Sequence, residues 1–348
     1  MKDIKKFINT QILSKNAQNL IESLPPKTKF CAVVKCNAYG HGVIPVCSTI
    51  RDLVDCFAVA NNREAVQIKR KFPDKNVLVL GGISTYFLRS AVRLGVIFSI
   101  SNLQELQTLE DFASKQNEVV SFHLKLNTGM NRLGAKTEAE VQKILAFLPN
   151  CPHLNLVGVF SHISDGKNQK RTRKQAENFE KLTSALPANI QKHLLSSIFS
   201  NYHDLCFDMV RAGISLYGYA KNTQPCLQIE ARIVGIQMVK KGEYIGYGSK
   251  HRANKNGKIA ILAIGYGEGL PRLWAKKGYV LINGKKARFC ANICMDMSIV
   301  DITEIDAKIN DYAVILGNSC AQQITANEIA RACKTIPYEI LTNFKKIA

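Results

Sequence analysis

The chain of 348 residues reads as an α/β protein, with an N-terminal (β/α)8 barrel of the TIM type followed by a mostly antiparallel β domain. Three observations lead there. Over the first two thirds, short β-branched apolar runs alternate with longer amphipathic stretches. That alternation is the signature of βαβ units around a parallel sheet, and about eight such units close a barrel. Near residue 220 the alternation stops, and apolar runs then follow one another through short turns.

The expected barrel strands are 30–35, 56–60, 76–80, 97–99, 119–127, 156–162, 194–199 and 213–216. Helical patterns fall between them at 62–71, 103–115, 138–148 and 173–185. From Leu227 onward the runs ARIVGIQMV, KIAILAIGYG, GYVLING, SIVDI and YAVILG are punctuated by Gly242, Gly257 and Asn283-Gly284. Asn-Gly between two apolar runs signals a tight hairpin. One late helix is expected at 326–333. The boundary is set inside 222–225, giving a barrel domain over 1–222 and a β domain over 223–348.

Composition narrows the function. Hydrophobic residues make up 46% of the chain, enough for a large core, and no low-complexity tract suggests disorder. Lys and Arg number 47 against 27 acidic residues, a net charge of +20. The cations are scattered, without the clustering or aromatic support of a nucleic-acid face, so no nucleic-acid partner is expected. An anionic cofactor or substrate gains from the same field. No two of the eleven cysteines have CxxC spacing, and no metal site is expected. The start, MKDIKKFINTQIL, lacks the apolar core of a signal peptide, and no apolar run approaches the ~20 residues of a membrane span. Reduced thiols and a cytoplasmic location are the expectation.

The segment CAVVKCNAYGHG, residues 31–42, puts Lys35 at the end of a buried strand, where barrel active sites are built. A partly desolvated amine there is primed for a Schiff base with an aldehyde. Taken alone, the spacing favours a lysine that merely snorkels outward. The whole segment, however, resembles the pyridoxal-phosphate site of alanine racemases nearly residue for residue. The resemblance implies that Lys35 holds the cofactor and that Tyr39 contacts its phosphate. Cys36 is a mild departure, since a small residue such as alanine is usual there.

Further matches recur in family order along nearly the entire chain. HLKLNTGMNRLG, residues 123–134, resembles the segment with a carbamylated lysine and an arginine, which implies Lys125 and Arg132. Arg132 would meet the cofactor's phenolic oxygen and the substrate carboxylate with its rigid fork. Asn127 replaces the usual aspartate. GVFSHIS implies that His162 packs against the pyridine ring. HLLSSIFS implies Ser197 as a phosphate ligand, with Ser196 where asparagine is usual. FDMVRAGISLYG, residues 207–218, implies that Arg211 faces the pyridine nitrogen and that Gly213 and Ile214 offer backbone N–H groups to the phosphate. A permanently protonated arginine cannot give that nitrogen a proton, which keeps the ring a poorer electron sink and suits a racemase.

In the β domain, GEYIGYGSK resembles the element with the second base, implying Tyr247. Tyrosine has a reference pKa near ~10, so this role needs nearby cations or a hydrogen-bond network. IGYGEGLPR implies Tyr266 at the substrate entrance, with Glu268 for the usual aspartate. NICMDMS implies that the Met295 N–H meets the substrate carboxylate, with Cys294 and Asp296 shaping the pocket. IPYEIL implies Tyr338 as a further phosphate partner. The closing LTNFKKIA departs from the family, whose members continue into an Arg-containing strand, so either the last strand is short or the sequence is cut short there.

By resemblance, then, the chain interconverts L- and D-alanine with pyridoxal phosphate and supplies D-alanine for peptidoglycan. Lys35 would serve the D-alanine face and Tyr247 the L-alanine face. The expected assembly is a head-to-tail homodimer in which Tyr247 and Met295 reach in from the partner. Three alternatives stand beside this. A racemase of broader specificity, acting on serine or other small amino acids, is the nearest. A decarboxylase of the same barrel type lacks its glycine-rich phosphate loop here. A noncatalytic pyridoxal-phosphate carrier would lack the β domain with its tyrosine.

Overall fold

The computed structural model describes residues 3–347. The chain divides into two compact units. A barrel unit comprises Ser14–Lys35 and Val46–Thr223. A β unit comprises the chain up to Leu13, Cys36–Pro45 and the stretch from Gln224 onward.

The first strand, β1 (Ile4–Ile8), belongs to the β unit. The barrel unit holds β2 (Lys29–Val33), β3 (Cys56–Val59), β4 (Asn76–Val79), β5 (Phe98–Ile100), β6 (Val120–Lys125), β7 (Leu154–Phe160), β8 (Gln191–His193) and β9 (Met209–Ala212). They pair in parallel in the order β4-β3-β2-β9 and β5-β6-β7-β8. A parallel bridge between Leu78 and Ile97 joins β4 to β5. Asp208 N–H to Lys192 O at 3.0 Å and Arg211 N–H to Leu195 O at 3.1 Å join the other two ends. Eight parallel strands therefore close on themselves. Their sequences, such as CFAV and NVLV, are near-continuous apolar runs because both faces are covered. Phe30, Phe57, Phe98 and Phe122 are among the fully buried side chains.

One local code starts four helices. Asn61, Asn102, Thr137 and Thr325 each accept from the backbone N–H of a glutamate three residues on. In the first three, that glutamate's carboxylate accepts backbone N–H groups at or just before the cap. These reciprocal bonds satisfy donors the helix start leaves open. They fix the helices Asn62–Lys71, Leu103–Gln116, Glu138–Phe147 and Ala326–Cys333.

Two barrel strands lie upstream of their expected positions. Residues 194–198 and 213–216 are loops, Phe199 begins a 3-10 turn, and the strands are β8 and β9 before them. The apolar signal misleads because Leu194, Leu195, Ile214 and Leu216 are buried although they lie past the strand ends.

The β unit is antiparallel. It contains β10 (Leu227–Val239), β11 (Gly257–Leu262), β12 (Tyr279–Ile282), β13 (Lys285–Arg288), β14 (Ser298–Asp301), β15 (Tyr312–Ser319) and β16 (Gln322–Ile324). The sheet order is β13-β12-β15-β10-β11-β14, with β1 on β10 and β16 on β15. Asn283 and Gly284 close the β12–β13 hairpin with φ of 49° and 77°, as a primed turn requires. After Ile336 the chain forms a helix, Pro337–Asn343, and then a 3-10 turn, Phe344–Lys346. No strand follows among the described residues.

Candidate active site

The barrel unit gathers its polar groups at the C-terminal ends of the strands. Lys35 follows β2, Lys125 ends β6, His162 follows β7, Ser197 lies beyond β8, and Arg211 to Ile214 close β9 and begin its loop. This is the end at which barrel sites form, because every parallel strand delivers its next residue there.

Arg211 is the centre of this group and is only 2% exposed. Its Nη1 donates to His193 Nδ1 at 2.6 Å and to His193 O at 3.2 Å. Its Nη2 donates to Ser161 O at 2.7 Å and Leu194 O at 3.0 Å, with His162 Nδ1 at 3.4 Å. The guanidinium thus spans the ends of three strands. Burial lowers its pKa to about 10, which still leaves it a cation at neutral pH. Burial, reinforced by Arg211, Arg132, Lys35 and Lys125, holds His162 near 3, so this imidazole is neutral.

Lys125 is not a surface charge. It is 6% exposed, and its Nζ donates to Leu80 O at 2.8 Å. Burial, followed by Arg132 and Arg211, lowers its pKa to about 8. Arg132 is exposed on the loop beyond. Asn127 shapes that loop, its Oδ1 accepting from Asn131 N–H at 2.9 Å and Gly129 N–H at 3.3 Å. The amide thus keeps the acceptor that an aspartate would offer.

Beyond β9, Ser197 Oγ accepts the N–H groups of Gly213 at 2.9 Å and Ser215 at 3.3 Å. Ser215 Oγ is buried without a hydrogen-bond partner among the described residues. Tyr217 Oη donates to Val33 O at 3.1 Å and ties this loop to β2.

The β unit carries the remaining expected residues. Cys36 through Tyr39 all lie in the left-handed region, with φ between 53° and 55°, and Gly40 follows at 82°. They form one left-handed helical turn, closed by Gly40 N–H to Cys36 O at 3.1 Å. Such a backbone costs about 1–2 kcal/mol per non-glycine residue, so neighbours must hold it. Asn37 Oδ1 accepts Val43 N–H at 2.8 Å, and His41 Nδ1 donates to Ala38 O and Tyr39 O at 3.0 and 3.1 Å. The Tyr39 ring meets Tyr338 with centroids 6.0 Å apart. Burial raises both phenols, so both stay protonated donors.

Tyr266 N–H bonds Cys294 O at 3.0 Å and Gly267 N–H bonds Met295 O at 2.7 Å, which brings these two elements together. Tyr247 sits on a single 3-10 turn between Gly246 and Gly248, both at positive φ. It is 75% exposed, and Met295 is 62% exposed.

Reading the sequence missed His123, Ser161, Gln175 and His193. Gln175 is buried on helix Gln169–Thr183 and bonds His162 O, Thr128 Oγ1 and Ser164, clamping two loops of the site. A signal existed for His123. In VSFHLK, His123 and Lys125 alternate with apolar residues, so both share one face of a strand with two covered faces.

Residues 8–221 match the family model described as the alanine racemase N-terminal domain, and residues 226–348 match the C-terminal domain. The chain is 32% identical over 323 residues to an alanine racemase of Thermodesulfovibrio yellowstonii, covering 91% of this chain and 87% of that one. A solved alanine racemase of Clostridium difficile aligns with a TM-score of 0.92 at 30% identity, over 98% of this chain and 93% of that one. A Bartonella henselae alanine racemase with covalently bound pyridoxal phosphate aligns at 0.87 and 25% identity, over 99% and 98% of the two chains.

Proposed function

The chain belongs to the alanine racemase family, and we propose that its pyridoxal-phosphate-dependent interconversion of L- and D-alanine runs through two acid/base groups, Lys35 and Tyr247. The observation that carries this reading is the donor set at the strand ends. Arg211 uses both terminal nitrogens on protein acceptors, and none of its described hydrogen bonds uses Nε. Beside it, the Ser197, Gly213 and Ser215 cradle holds N–H and hydroxyl groups, a buried unpartnered Ser215 Oγ among them, and no carboxylate. These groups suit a pyridine nitrogen and a phosphate. When bound, pyridoxal phosphate draws electrons from the substrate α-carbon and so loosens its proton.

The residues then divide the work. Lys35 Nζ holds the cofactor and moves the proton on the D-alanine face, while Tyr247 Oη moves it on the L-alanine face. Two groups on opposite faces make one side chain's swing across the substrate unnecessary. Arg211 stays protonated and neutral His162 packs beside it, so neither hands a proton to the ring. Ser197, the Gly213 and Ile214 N–H groups, Tyr39 and Tyr338 hold the phosphate. Arg132 and the Met295 N–H take the substrate carboxylate, with Tyr266, Cys294 and Asp296 around it.

The exposure of Tyr247 and Met295 supports a head-to-tail homodimer in which each chain lends them to its partner. Every cysteine is a free thiol, which supports a reducing cytoplasm, where D-alanine would be made for peptidoglycan. Among the described residues, no helix is long and apolar enough to cross a membrane. The test is circular dichroism of D- and L-alanine incubated with purified, cofactor-loaded protein. Signal decaying from both enantiomers to zero is expected, and L-serine run in parallel measures breadth. Alanine keeping its handedness would overturn the reading.

A further inference from the structure

The hydrogen bonds of Arg211 continue outward into a second pair of rings. His193 Nδ1 lies 2.6 Å from Arg211 Nη1, and His193 Nε2 lies 2.7 Å from His123 Nδ1. His193 is 0% exposed and His123 4%. A guanidinium only donates, so His193 Nδ1 is the acceptor and the His193 proton sits on Nε2. That proton points at His123 Nδ1, which must accept it, so His123 carries its own proton on Nε2.

We propose that His123 is a positioning residue of this racemase: by accepting from His193, it fixes the one tautomer that lets Arg211 donate, and thereby sets the pose of the guanidinium. The inference rests on the proposed reading that Arg211 faces the cofactor ring.

The packing is built around this chain of bonds. The His193 ring stacks on Phe160 at 5.0 Å with an interplanar angle of 8°, and Arg211 lies 5.2 Å over the same Phe160 ring. His123 meets His193 edge-on at 4.9 Å. Across the β6–β7 pairing, His123 faces Gly158, and a Cβ there would lie 2.6 Å from His123 Cε1. The bare glycine makes the room the imidazole occupies. Burial and the charge of Arg211 keep both rings neutral, as the tautomer argument requires. The opposite His193 tautomer would set two donors face to face. Without His123, the His193 Nε2–H would be buried with no acceptor.

The experiment is histidine-selective nitrogen NMR on the holoenzyme, alongside steady-state kinetics, for wild type, His123→Asn, His123→Phe and Arg211→Lys. Asparagine offers an Oδ1 where Nδ1 stood, and phenylalanine offers no acceptor. The wild type is expected to show His193 protonated at Nε2 and bare at Nδ1 throughout neutral pH. His123→Asn should keep that pattern and most activity. His123→Phe should lose it and lower kcat by about tenfold with KM within about twofold. His193 protonated at Nδ1 in the wild type would overturn the proposal. So would His123→Phe keeping kcat, or His123→Asn falling as far as His123→Phe with the tautomer intact. If His123→Phe does not fold, the wild-type and His123→Asn spectra and rates decide. If the tautomers are as stated but Arg211→Lys also leaves kcat untouched, the failure lies in the reading of Arg211 rather than in the chain of bonds.

Discussion

Ser197 Oγ accepts the Gly213 N–H at 2.9 Å, so a hydroxyl beyond β8 is held against the first turn beyond β9. Both groups are assigned to the phosphate. Replacing Ser197 with alanine is expected to weaken cofactor retention by about tenfold, the scale of one hydrogen bond to a charged group. Equilibrium dialysis of pyridoxal phosphate reads this directly. An unchanged affinity would move the phosphate away from this cradle.

The left-handed turn after Lys35 makes a sharper demand. A Cβ on Gly40, at φ +82°, would stand 2.2 Å from Leu341 O in the helix that carries Tyr338. Gly40→Ala should therefore cost on the order of 3 kcal/mol, since neither backbone can yield without breaking its own turn. Chemical denaturation measures the loss. A cost below about 1 kcal/mol would mean that the turn and the helix slide freely past each other.

Lys125 gives a pH dependence with a definite sign. Its folded pKa, about 8, lies below the ordinary 10.5, so the penalty of burying the ammonium is fully present below pH 8. Between those values the unfolded chain binds the extra proton, and stability rises with pH. Relative to Lys125→Met, the wild-type unfolding free energy should climb through this window in carbon-dioxide-free buffer. The same amine, neutral in a growing fraction as pH passes 8, is proposed to capture carbon dioxide as a carbamate. Capture releases a proton that the unfolded ammonium keeps, so equilibration with bicarbonate should carry the rise of stability to below pH 8 and add the mass of carbon dioxide. A rise that stays confined to the window above pH 8 in bicarbonate would argue for a free amine.

Much of this was legible in the sequence, for physical reasons that differ by element. Strands such as β3 and β4 are buried on both faces and so spell out continuous apolar runs. The Asn-Gly hairpin and the helix caps are local codes, readable within four residues. The ends of β8 and β9 were not, because Leu194, Leu195 and Ile214 are as apolar and as buried as strand residues while lying in loops. Strand β1 was missed since IKKFI gains its meaning only from β10, more than two hundred residues away. Lys125 and Arg132 look alike in sequence, yet one is buried and the other exposed. The left-handed turn has little compositional mark, as only Asn37 and Gly40 in it are residues that favour positive φ.

The two-base claim itself is best tested by following solvent deuterium into the α-position of each enantiomer with Tyr247→Phe holoenzyme. Exchange from L-alanine should be lost while exchange from D-alanine, served by Lys35, persists. Equal loss from both enantiomers, or none from either, would contradict the assignment of Tyr247 to the L-alanine face.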